Sequence, residues 1–303
     1  MSEPDVMATW SEAPFSHPPL ANATGPFPLR PFLETWWRHN GEDDRLALVA
    51  TDAGALPLRQ SDGRVLFCGD PDLTDYHNPL GEPAEALAVV AARFPGTGYS
   101  FDSLPDAAAV ALHAALDAGG HAHAVTSDAV TVVLELPETA ADWHAQLKKR
   151  DRHEMRRKRR RFEEALGEAQ LERRSDEDAV GLFADMHRTA AGAKGGFMSK
   201  QREDFFSDLV ASADASVDVL STDHGPAAAA FAFARPDGYY LYNSAYSPEA
   251  AAFSPGIVLL AMLVESLIAD GVPRLDLLKG DEPYKLRLGA VPRPLYRIEG
   301  TFV

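Results

Sequence analysis

Four groups of residues combine side-chain type and spacing in ways that could do chemistry. Ser254-Pro255-Gly256 stands at the head of a long apolar run. Serine caps helix N-termini, proline fits the first helical position, and glycine lets a ligand approach the backbone closely. The free N–H groups and positive dipole end of such a helix attract anions, although the same tripeptide also starts an ordinary core helix. Gly280-Asp281-Glu282-Pro283-Tyr284-Lys285 forms the second group. Asp281 or Glu282 can cap a helix begun by Pro283, which puts Tyr284 and Lys285 in its first turn. A cation there opposes the helix dipole at about 0.3–1 kcal/mol. Lys285 therefore either pairs with Asp281 or another carboxylate, or is held there to meet a ligand.

Tyr240, Tyr242 and Tyr246 make the third group. Alternation along a strand places the three on one face, where buried hydroxyls need partners. They read as the wall of a polar substrate tunnel or as an aromatic core with hydroxyls at its rim. Fourth, residues 148–161 hold ten bases against Asp151 and Glu154, a net of +8 in a chain whose total is −16. Pairs such as Arg159 with Glu163, or Arg160 with Glu164, contribute only about 0.2–0.5 kcal/mol each. This segment either lies over the protein's own acidic surface or meets a polyanion. His121 and His123 share a strand face with no third ligand near in sequence. A structural or solvent-facing role is expected for both, with no metal assigned, and His187 reads as a packed histidine.

The elements that must position these groups follow from hydrophobic period and turn residues. The first half reads as an aromatic helix (31–40), three short strands (46–50, 55–59, 65–68), a helix (83–94), a strand (99–103), a helix (106–118) and strands over 122–136. The second half opens with one long helix (142–166), then strand 170–174, helix 176–190, loop 191–198 and helix 199–212. Strands 217–222, 227–235 and 239–246 follow, joined by tight links, and predict an antiparallel meander. Helix 255–270 and strand 274–278 then return in parallel, before a short helix near 283–288 and strand 294–302. The ligand crevice belongs where the strands change partners. Residues 1–28, rich in proline, read as a loosely ordered arm. The 303 residues, 46% hydrophobic, suit a two-domain α/β (α+β, mixed-sheet) protein.

Net charge of −16 argues against DNA or anionic-membrane binding. A single cysteine, Cys68, excludes a disulfide framework. Residues 256–269 fall short of the ~20 a bilayer requires. With no base before Arg30 to suggest a leader, a cytoplasmic location is the expectation.

Several pieces in order resemble the CelD-type acyltransferases of the GNAT superfamily, relatives of the FemABX peptidyltransferases. They are Trp143 followed by the basic block, Lys194-Gly195-Gly196-Phe197 before Asp204-Phe205-Phe206, Tyr240-x-Tyr242-x-x-x-Tyr246 leading to Ser254-Pro255-Gly256, and residues 275–285. The likeness spans residues 142–299, with an echo at Gly69-Asp70 and Asp75-Tyr76. It implies two tandem GNAT-like domains, a degenerate one over 29–140 and an acyltransferase domain over 141–303. It also implies acyl-CoA (acetyl-CoA or longer) as co-substrate, or aminoacyl-tRNA as in the FemABX branch, with the acceptor in a cleft between or beside the domains. Where GNAT enzymes carry Arg or Gln and then two glycines, residues 251–256 offer one glycine and no base.

The expected activity is N- or O-acyl transfer to a small-molecule, glycan or peptide acceptor. Residues 254–257 (Ser254, Pro255, Gly256, Ile257) would hold donor phosphates. Tyr242 and Tyr246 would orient the acceptor, with Tyr240, Asp75, Tyr76 and Phe197 as further contacts. Lys285 would stabilise charge, with Asp281 as base and Tyr284 beside them. A non-catalytic scaffold of a polysaccharide pathway is the alternative of another class.

Overall fold

The computed structural model describes residues 5–12, 15–20, 24–190 and 193–303. Glu3, Pro4, Pro14, the start of the 191–198 loop and the Lys194 side chain lie outside the described residues. The chain divides into two units, Met1–Val130 with Arg293–Val303, and Thr131–Pro292.

In the first unit, strands β1 (Arg45–Ala50), β2 (Gly54–Ser61) and β3 (Arg64–Phe67) form an antiparallel run, with the short β4 (Leu80–Gly81) on β2. Helix α1 (Arg30–Asn40) precedes them. The crossover helix α2 (Ala84–Arg93) brings β5 (Gly98–Leu104) parallel to β3. Helix α3 (Asp106–Ala118) then leads into β6 (His123–Glu135), whose end belongs to the second unit. Leu87 and Val90 of α2 and Leu112 and Leu116 of α3 bury against Phe67, Tyr99 and Phe101. The described residues of the N-terminal segment include packed anchors, against the expectation of a loosely ordered arm. Met7 bridges to Leu48, Pro19 bridges to Leu80, and Phe27 is fully buried edge-on to Phe32. Between the prolines, Trp10 opens a short 3-10 turn (Trp10–Glu12) and is itself buried.

The second unit carries helices α4 (Ala140–Gln146), α5 (Lys149–Leu166), α6 (Glu177–Arg188), α7 (Ala193–Phe197), α8 (Lys200–Ser212), α9 (Pro255–Ala269) and α10 (Pro283–Arg287). Its strands are β7 (Gln170–Arg174), β8 (Ala215–Thr222), β9 (Gly225–Arg235), β10 (Gly238–Tyr246) and β11 (Arg274–Lys279). β7 to β10 are antiparallel neighbours in sequence order, and β11 returns parallel to β10 and antiparallel to the end of β6. The meander and the parallel return follow the sequence expectation. β9 decides which helix sits where. Ala228, Ala230 and Ala232 face α9, and their small side chains let this helix, apolar nearly all round, pack closely. Phe231, on the opposite face, packs against Phe183 of α6 and Phe206 of α8.

Three expectations are corrected. The single helix over 142–166 is broken at Leu147 and Lys148, both extended. Leu147 is drawn into the core, and the Trp143 Nε1–H donates to the Leu288 carbonyl (2.9 Å). Arg152 reaches back to the His144 carbonyl (2.9 Å), satisfying one of the acceptors the break exposes. Residues 193–197 of the expected loop form α7. The last strand, β12 (Val291–Thr301), pairs antiparallel with β5, and from Arg293 on it falls in the first unit rather than in a domain running 141–303. No helix among the described residues is long and apolar enough to cross a membrane.

Candidate active site

β10 and β11 pair only at Tyr239 with Leu275 and Tyr240 with Asp276. Beyond that point each strand is distorted by a local device. In β10, a bulge between Leu241 and Asn243 makes Tyr242 the extra residue. Asn243 holds it: its Oδ1 lies 2.9 Å from His187 Nε2 and accepts the Ser244 amide at 2.7 Å. In β11, Leu278 is left-handed (φ 59°), and its amide donates to the Asp276 carboxylate (2.8 Å). A buried leucine held at positive φ is strained. Two kinked strands whose pairing stops leave a wedge beside the start of α9, at the change of strand partners.

At the head of α9 lies a cavity of about 320 Å³, lined by Ser244 and Tyr246 of β10, Ala251, residues 254–257 and Leu260, and Tyr284 of α10. Its volume is that of a small-ligand pocket. Pro255 brings no N–H, the Ile257 amide turns back to the Ser254 carbonyl (3.1 Å), and the Gly256 amide has no hydrogen-bond partner among the described residues. Ser254 is not the side-chain cap its sequence position suggests. It sits at φ 59°, and its backbone carbonyl, rather than its hydroxyl, engages the helix.

The bulge also corrects the tyrosine face. Because Tyr242 is inserted, residues after it change sides: Tyr240 and Tyr242 point toward α6 and α8, and Tyr246 toward α9. Tyr240 is fully buried and donates to Asp237. Tyr242 packs among Phe206, Phe231 and Phe233. Only Tyr246, 44% exposed, reaches the cavity.

Tyr284 lines the cavity, and Lys285, the next residue, points the other way. The Lys285 ammonium is buried, donating to the carbonyls of Lys279 (2.7 Å) and Gly280 (3.0 Å) and pairing with Glu282 (2.9 Å). Of the alternatives the sequence left open, it pairs with a carboxylate, and with Glu282 rather than Asp281, which is exposed on the turn. Gly280 permits this, since a Cβ there would meet the Glu282 carboxylate at 2.7 Å. Burial raises the Glu282 carboxyl, but the Lys285 hydrogen bond and charge outweigh it and hold the group below its ordinary value. Burial pushes the Tyr284 hydroxyl up to about 12.

Lys285→Met is therefore expected to destabilise the protein by about 2–4 kcal/mol, because it strands buried carbonyl acceptors and their carboxylate partner. A lower urea midpoint checks this. The Lys285–Glu282 pair contributes stability above about pH 4.5, and loses it as pH falls through the lowered folded value. The acid limb of the stability curve should flatten in Glu282→Gln.

The basic block on α5 borders a smaller cleft lined by Asp151, Glu154, Met155 and Lys158 with Ile257, Tyr284 and Arg287. Ile257 and Tyr284 thus line both spaces. Arg157 pairs with Glu154, Arg160 with Glu164, and Arg159 with Glu163 and with Glu265 of α9. Lys149, Arg150, Arg156, Lys158 and Arg161 make no ion pair among the described residues.

The remaining candidates lie elsewhere. Tyr76 is buried against Phe27 in the first unit, with Asp75 half-buried before it. Phe197 of α7 lies under the Arg202 guanidinium (4.0 Å) and beside His187. Ser244, Ala251 and Leu260 were not singled out by sequence. Small or aliphatic, they carry no chemical signature, and only the strand bulge and helix packing bring them to the cavity.

Residues 149–286 match the family described as acetyltransferase (GNAT) domain. Among solved structures, a conserved protein of unknown function from Bacteroides thetaiotaomicron is 11% identical, covers 99% of this chain and 100% of its own, and superposes with a TM-score of 0.65. FemX is 12% identical, covering 94% of this chain and 93% of its own, with a TM-score of 0.64. The C-terminal DUF2156 domain of an Agrobacterium fabrum protein is 12% identical over 88% of this chain and 87% of its own, with a TM-score of 0.58. Identities this low speak to fold alone. Comparison with curated proteins finds no match. Residues 149–286 thus resemble a GNAT acetyltransferase domain, and they sit in a mixed-sheet, two-unit fold similar to that of FemX.

Proposed function

We propose that the protein moves an acyl group from an acyl-CoA thioester to an amine or hydroxyl of a small or sugar-like acceptor. The observation that carries this reading is the cavity at the head of α9, where the unpartnered Gly256 amide and the Tyr284 side chain line one space. Residues 254–257 receive the donor's phosphates, aided by the helix dipole and by Lys158 and Arg287 beside Tyr284. The acceptor attacks the thioester carbonyl, a C–N or C–O bond forms, the C–S bond breaks, and the leaving sulfur takes a proton. With its hydroxyl raised to about 12, Tyr284 is protonated at neutral pH and acts as a donor to the developing negative charge. Tyr246 orients the acceptor. Among the described residues, no carboxylate or imidazole lines the cavity. Catalysis therefore rests mainly on positioning, and the acceptor's proton leaves through water, with Asp281, exposed on the turn before Tyr284, the carboxylate to test. Lys285 acts as a positioning residue that fixes the turn on which Tyr284 stands.

A thermal-shift series with acetyl-, succinyl- and long-chain CoA tests the donor. A thioester at about 100 times its Kd adds about 2.7 kcal/mol of stability, and free thiol should then appear when an acceptor panel is added. Absence of any shift removes acyl-CoA as donor. The unpaired bases of α5 support a second reading, transfer from aminoacyl-tRNA. That reading predicts tRNA binding that weakens steeply with salt and is lost on neutralising Arg156 and Arg161.

A further inference from the structure

Helix α3 and the start of β6 bring together three side chains that the acyl-transfer site does not use. His113 and Asp117 stand at i and i+4 on the last turns of α3 and so share a face. Gly119 and Gly120 then end the helix, Gly120 at φ 73°, and the His121 amide bonds back to the Leu116 carbonyl (3.0 Å). That tight return sets His123 beside the helix it has just left. His123 Nε2 lies 2.7 Å from His113 Nδ1 and 4.0 Å from an Asp117 oxygen, and His113 Nε2 lies 3.5 Å from the other. His121 takes no part, because its Nδ1 accepts the Val303 amide (3.1 Å).

The His123 ring is fixed. Its side chain is only 3% exposed, and its Nδ1 is 2.8 Å from the His121 carbonyl, which can only accept. The proton therefore sits on Nδ1, and the Nε2 lone pair faces His113 and Asp117. A histidine whose far nitrogen is anchored to a carbonyl is oriented as metal-ligating histidines are. One nitrogen of His113 and the Asp117 carboxylate add two more electron-pair donors. The three ligand atoms lie within 4.8 Å of one another, so a small turn of the His113 and Asp117 side chains brings them to the spacing that bonds of about 2.0–2.2 Å to a shared ion require. His113 and Asp117 are exposed, so both can open to admit it.

We propose that His113, Asp117 and His123 form a binding site for one zinc-class divalent cation. Two imidazoles and a carboxylate favour a borderline transition ion over calcium or magnesium. With three protein ligands, a fourth position stays open to water. The bound ion would fasten the end of α3 to the start of β6, within the first unit.

Calorimetric titration of the untagged chain with Zn²⁺ at pH 7.5 tests this, with Co²⁺ absorption as a second readout. One ion per chain is expected, with a visible Co²⁺ band of low coordination number and a rise in Tm that depends on metal concentration. His113→Ala and Asp117→Asn remove exposed side chains and should leave the metal-free Tm within about 2 °C, since surface changes are small. Each should weaken Zn²⁺ binding at least tenfold, and the exposed His224→Ala should not. The proposal is overturned if no stoichiometric binding occurs, or if the His113 and Asp117 variants bind as well as the parent. In that case the three groups are a hydrogen-bonded corner only. Because the site lies apart from the Gly256 cavity in sequence and chemistry, either outcome leaves the acyl-CoA test untouched.

Discussion

Tyr284→Phe is expected to lower kcat for thiol release from acyl-CoA by roughly 10²–10³, the usual loss when one donor to a developing charge is removed. The ring keeps its place between the cavity and the cleft beside α5, so acyl-CoA affinity by calorimetry should change less than about threefold. This split is diagnostic, because loss of an interaction made only in the transition state lowers kcat and kcat/KM together. A variant with unchanged kcat removes Tyr284 from the chemistry. A variant with unchanged kcat and weakened binding makes it a wall of the donor site. The hydroxyl is raised to about 12, so the parent's activity should show no loss attributable to Tyr284 ionisation between pH 7 and 9.

Gly256→Leu should separate binding from stability. The nearest atom to a Cβ at Gly256 is a Tyr246 ring carbon at 3.9 Å, so the added side chain enters the cavity without striking the backbone. Replacing glycine in a helix by leucine gains up to about 1 kcal/mol in propensity, and Tm should hold or rise. Acyl-CoA binding should nevertheless weaken by at least tenfold, about 1.4 kcal/mol, because the leucine occupies the space beside the free amide. Retained affinity in a folded Gly256→Leu protein would place the donor elsewhere and defeat the proposed use of the α9 head.

Local chemistry made much of the second unit legible. The apolar run from Pro255 to Ala269, the turn glycines at 225 and 238, and the proline at 283 mark α9, the meander and α10 within a residue or two of their observed ends. Such features depend on neighbours in sequence, which is why they can be read there. The break at Leu147 could not be read that way, because it depends on the Leu288 carbonyl meeting Trp143.

For the candidate site, the sequence by itself determined the helix head at Ser254-Pro255-Gly256, the turn that carries Tyr284 and Lys285, and the run of bases on α5. These are properties of consecutive residues and of helical spacing. Tertiary structure alone decided which of them meet. An inserted residue at Tyr242 turned Tyr246 toward the cavity and left Tyr240 and Tyr242 facing α6 and α8. The Lys279 and Gly280 carbonyls drew Lys285 inward and left Tyr284 at the cavity, and the return after Gly120 brought His113 and Asp117 to His123. Each outcome depends on a strand irregularity or a backbone acceptor supplied by another part of the fold. Hydrophobic period encodes which face is buried, but not where a ladder slips or which carbonyl is left to be satisfied.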